Sequence, residues 1–101
     1  MSEYLRRNIV VKGRRTSISL ESAIWSALEE ICERESMTFN QIITLINDNL
    51  DKDTGRTSAA RIFIVNYFRT MANNPELLKS GLLKLTGRNI KRLVNGPIAS
   101  K

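Results

Sequence analysis

The sequence contains no histidine, a single cysteine (Cys32) and only two prolines in 101 residues. Without histidine, a Ser-His-Asp or Cys-His arrangement cannot be built. One thiol and no imidazole cannot assemble a zinc cluster within one chain. A lone cysteine also forms no intrachain disulfide, which fits a reducing compartment. No apolar run approaches the ~18 residues of a membrane-spanning helix. The polar, basic stretch 1–7 is followed only by Ile9, Val10 and Val11. That is too short for the core of a secretory signal, so a cytoplasmic location is expected. No acid, base and nucleophile converge in any motif. The reading is therefore of a protein that is not an enzyme and that needs no cofactor or metal.

What is present is ordinary globular composition, with 42% hydrophobic and 26% charged residues. The length suits one domain with an appendage, and a core of this size gains from dimerisation. The net charge is +6 and unevenly placed. Arg6, Arg7, Lys12, Arg14 and Arg15 make the first twenty residues basic, while Glu21 to Asp53 is acidic. Basic charge returns with Arg56, Arg61 and Arg69, then with Lys79, Lys84, Arg88, Lys91, Arg92 and Lys101. A basic surface is the common footprint of a polyanion binder, although a solvated surface would look the same by charge alone.

Along the chain, residues 1–7 read as a mobile basic arm. Asn8 to Lys12 is β-branched and suits a short strand, which Gly13 breaks with a turn. Residues 15–20 then alternate. Thr16, Ile18 and Leu20 share one side, and Arg15, Ser17 and Ser19 the other, the period of a half-buried strand. At Glu21 the period becomes helical, with Ile24, Leu28, Ile31 and Cys32 on one stripe and Trp25 and Met37 beside it. The first helix is expected from about Glu21 to Glu35. Thr38 with Gln41 fits a capping box for a second helix reaching about Leu50. Thr57 or Ser58 is expected to cap a third, running to about Met71. Asn74-Pro75 opens a fourth to about Leu85, and Gly87 and Gly96-Pro97 bracket a last short helix.

One short strand is not stable alone, and its open edge needs a partner. Two copies that pair their strands antiparallel about a two-fold axis, with helices beneath, solve both problems. The expected fold is therefore mainly α: a homodimer with an intermolecular two-stranded antiparallel β-ribbon over helices, plus additional C-terminal helices. Such a ribbon has the width of the DNA major groove. Arg15, Ser17 and Ser19 on its outer side suit contacts to base edges. Phosphate contacts are expected from the second helix N-terminus at Thr38, Phe39 and Asn40, whose free N–H groups favour an anion. Arg6, Arg7, Lys12 and Arg14 are expected to join them as backbone contacts. The acidic block Glu29 to Glu35 should face away from DNA.

Residues 7–69 resemble a bacterial ribbon-helix-helix DNA-binding family of the Arc/MetJ-like superfamily. The resemblance is carried by Arg7, by Gly13-Arg14-Arg15-Thr16-Ser17-Ile18-Ser19-Leu20-Glu21, by Trp25 with Leu28, and by Ser58 to Phe63 with Tyr67-Phe68-Arg69. Ile24 stands where a bulkier aromatic would be expected, and Gly55-Arg56 where an Asn-Leu pair would be. The resemblance implies a dimeric, nucleoid-associated regulator of transcription, by analogy a repressor. An antitoxin, a plasmid partition or conjugation accessory protein, or a protein-interaction adaptor are the alternatives. Residues 1–72 are taken as the DNA-binding and dimerisation domain, and 73–101 as a helical extension outside the resemblance. The apolar stripe Leu77, Leu78, Leu82, Leu83 and Leu85 is open to several uses: packing on the dimer, forming a tetramer, touching DNA, or binding a protein partner at 75–94. Partner or oligomer contact ranks first.

Overall fold

The computed structural model describes residues 4–50, 55–80 and 87–95. Two strands lead, β1 (Tyr4–Val11) and β2 (Arg14–Glu21), followed by helices α1 (Ser22–Glu35), α2 (Phe39–Asn49), α3 (Arg56–Ala72), α4 (Pro75–Ser80) and α5 (Gly87–Asn95). The strands pair antiparallel in a register that sets Val11 opposite Arg14 and Tyr4 opposite Glu21. Lys12 (φ 53°) and Gly13 (φ 77°) make the connection, both in the left-handed region. That is the type I′ signature, the two-residue turn whose twist suits a hairpin.

Here the structure departs from expectation. Residues 4–7 are not an arm but the first half of β1, and the ribbon takes both its strands from one chain. A second copy is not required to pair β2, because the chain folds back after only two residues.

The inner face of the hairpin carries Ile9, Val11, Ile18 and Leu20, all buried. They form one core with Trp25, Leu28 and Ile31 of α1, Ile42, Ile43 and Ile46 of α2, and Phe63 and Tyr67 of α3. Helix α1 ends at Ser36 in the left-handed conformation, with Met37 N–H bonded to the Cys32 carbonyl at 3.0 Å. The capping box of α2 is present: Thr38 N–H donates to Gln41 Oε1 at 2.9 Å, and Gln41 N–H to Thr38 Oγ1 at 3.1 Å. Helix α3 begins earlier than Thr57 or Ser58 predicts, with Gly55 at its N-cap and no side-chain cap bond.

The C-terminal helix is part of the same core. Ile90, Leu93 and Val94 are buried against it. The buried Asn66 of α3 donates its amide to the Leu93 carbonyl at 2.8 Å, and Asn95 donates to the Asn49 carbonyl at 2.6 Å. The leucine stripe expected to carry partner contact falls largely at 81–86, outside the described residues.

Candidate nucleic-acid interface

The outer face of the hairpin is built by strand alternation. From β2 it takes Arg15, Ser17 and Ser19, all exposed, as the sequence places them. Strand β1 adds Arg6, Asn8 and Val10, also exposed. Arg6 lies opposite Ser19, Asn8 opposite Ser17, and Val10 opposite Arg15. Between these ends the face holds two guanidinium groups, two hydroxyls and an amide, and no carboxylate. Ser17 Oγ donates to Asn8 Oδ1 across the strands at 3.0 Å. Glu21 closes the far end, where its carboxylate accepts two bonds from Arg61 of α3, at 2.8 and 3.2 Å. That pairing holds the Glu21 carboxyl below its ordinary range and fixes β2 to α3.

Asn8 shares this face although the sequence alternation points to one strand only. The signal was available: Asn8 stands two residues from Arg6 and two from Val10, in phase with them once a hairpin is assumed.

The predicted phosphate contacts are distributed differently. Arg7 points to the inner face, its guanidinium 4.8 Å from the Trp25 ring centre and 5.0 Å from that of Phe39. The two rings meet edge to face at 5.6 Å. Arg7 is thus a packing cation between aromatics rather than part of a basic arm. Phe39 contributes its ring to that stack. Asn40 accepts the Val10 N–H on its Oδ1 at 3.1 Å, so its side chain seals the outer edge of β1. Because Thr38 is occupied with Gln41, what α2 retains for an anion is its positive end and the main-chain N–H groups of Phe39 and Asn40, beside β1.

Arg6 shares the outer face with Ser19. Lys12 lies at the turn and pairs with Asp48 at 3.3 Å. Arg14 is exposed next to it and, with Lys12, Arg15, Thr16, Asn47 and Arg56, lines a cleft of about 400 Å³. Arg56 is the second residue missed. Its guanidinium is held by neutral oxygens, Asn47 Oδ1 at 3.3 Å and Thr16 Oγ1 at 3.5 Å. Its charge is therefore not neutralised by an acid among the described residues, and the cleft is basic. Glu29, Glu30 and Glu33 lie on the exposed side of α1, away from its buried face of Trp25, Leu28 and Ile31.

A small antiparallel ribbon with a basic, hydrogen-bonding outer face, fixed on a helical base beside a helix N-terminus, defines a ribbon-type DNA-binding protein. The model of the ribbon-helix-helix domain matches residues 4–68, and the chain belongs to that family of DNA-binding regulators. No curated protein and no solved structure matches the chain. Among the described residues no helix is long and apolar enough to cross a membrane.

Proposed function

We propose that the chain is a sequence-specific regulator of transcription that lays its hairpin in the major groove of double-stranded DNA. It acts as a homodimer and as a repressor, by occluding a promoter. The observation that carries this reading is the outer hairpin face, whose exposed Arg15, Ser17 and Ser19 stand beside Arg6 and Asn8. A two-stranded ribbon fits a groove about 12 Å wide, and arginine reads guanine there with two bonds. Arg14, Arg56 and the N–H groups at Phe39 and Asn40 are the phosphate contacts that set its position.

Members of the family typically bind DNA as dimers. The exposed apolar side chains of Tyr4 and Leu5 at the open end of the hairpin, and of Ile62 and Val65 on α3, support a second copy here. Two-fold symmetry then predicts palindromic half-sites.

The test is binding to a duplex selected from a random pool. Arg15→Ala should weaken specific binding by ~1–3 kcal/mol while the melting curve stays in place. Full affinity in that variant would remove the hairpin from base readout. Affinity should also fall linearly in log–log form with salt as counterions are released. Sedimentation of the protein alone and on its site reports the dimer.

A further inference from the structure

We propose that Asn8 is an adenine-reading side chain of this interface and that Ser17 is its positioning residue. The inference rests on the DNA-binding reading above and adds a residue and a base to it.

Asn8 and Ser17 face each other directly at the middle of the outer face. A two-residue turn makes Val11 and Arg14 a hydrogen-bonded pair, and the alternation from there leaves Asn8 and Ser17 in a non-hydrogen-bonded pair, where side chains lie closest. Val10 follows the same alternation: its N–H turns outward, to Asn40. The Ser17 hydroxyl gives its one proton to Asn8 Oδ1 at 3.0 Å. Serine then offers only lone pairs, while the carboxamide keeps both Nδ2 protons and the second lone pair of Oδ1.

A donor and an acceptor side by side on one planar group are what the N7 and the 6-amino group of adenine require. An amide already held in orientation also loses less freedom on binding. Arg15 and Arg6 stand one cross-strand pair to either side, opposite Val10 and Ser19. The face is thus ordered as arginine, amide, arginine, an arrangement suited to an A·T pair between guanine-bearing pairs.

Groove width supports β1 as a reading strand. Adding β2 of a second copy to the open edge of β2 would give four strands, about 14 Å between the outer backbones. That exceeds the roughly 12 Å groove. Such a sheet would not enter flat, whereas the hairpin of one chain, with Asn8 beside Ser17, is narrow enough to do so.

The experiment uses the full chain and a random duplex pool. The wild-type protein should select one A·T pair per half-site whose replacement by G·C weakens binding roughly tenfold or more, as loss of a bidentate contact does. In Asn8→Ala that preference should shrink to twofold or less, with the salt dependence and the preferences set by Arg15 retained. Ser17→Ala should weaken the same preference at the same position, and the double variant should lose no more than Asn8→Ala alone. A serine with a separate base contact would add its own loss at another position. Asn8→Thr, which suits a strand, replaces the alanine variant if the latter melts early. The proposal is overturned if the Asn8 variants keep every base preference of the wild type. If the wild type itself selects no sequence, the DNA-binding reading fails first, before any variant is tested, and this inference goes with it.

Discussion

Arg7 places its guanidinium against Trp25 and Phe39, and the Trp25 indole N–H reaches the Leu5 carbonyl at 2.8 Å. These contacts bind β1 to α1 and α2 through side chains that charge and composition alone would assign elsewhere. Glu21 behaves similarly. As a residue preceding α1 it suits the positive end of a helix, yet its carboxylate goes to Arg61. The paired carboxyl titrates below its ordinary value. Its contribution to stability is therefore complete above the ordinary carboxylate pKa and is lost as pH falls through the lowered value in the folded state. Melting temperatures of wild type and Glu21→Gln, measured from neutral pH into acid, should differ at neutrality and converge in acid. A gap that stays constant with pH would mean that the ion pair contributes nothing. The alternation of residues 15–20 was legible because period two needs no partner information. The destinations of Arg7 and Asn40 were not, because each is decided by a contact distant in sequence: Arg7 with Trp25 and Phe39, and Asn40 with Val10 thirty residues away.

At the level of elements, the hairpin turn is the feature that sequence reasoning half resolved. The sequence marks Gly13 as a turn residue and Asn8 to Lys12 as a strand, but does not by itself join that strand to residues 15–20 through the turn. Lys12 hides the signal, since lysine is not a usual residue at positive φ, where Asn or Gly is favoured. Lys12 (φ 53°) bears a cost of roughly 1–2 kcal/mol for the left-handed conformation. Its ion pair with Asp48 is largely exposed and worth little. Lys12→Asn, which creates the favoured Asn-Gly turn, should therefore raise the unfolding free energy by up to about 1 kcal/mol in denaturant titrations. A drop would show that the Asp48 pair outweighs the backbone term. Helix α2 was placed almost to the residue because its capping box is a local signal. Helix α3 started earlier than expected because Gly55 caps it through the backbone, which leaves no side-chain signature.

Across the whole molecule, α5 joins α2 and α3 in one core that the sequence could not assign. Its apolar positions, Ile90, Leu93 and Val94, are few and closely spaced, and such a stripe fits an intrachain contact as well as a partner. Burial against α2 and α3 decides it for these three side chains. Ile90→Ala should cost ~2–5 kcal/mol of unfolding free energy, the range of a large-to-small change in a packed core. A cost near zero would mean that α5 is a free segment in solution.

The bond from Val10 N–H to Asn40 and the stack of Arg7 on Phe39 tie the hairpin rigidly to the start of α2. In the proposed DNA complex, the hairpin over the bases and the start of α2 on the strand beside them would form a caliper with a fixed opening. A duplex whose groove is too shallow or too broad cannot satisfy both jaws at once. In the proposed complex such a clamp would respond to the local shape and stiffness of DNA at base pairs that none of its side chains touches.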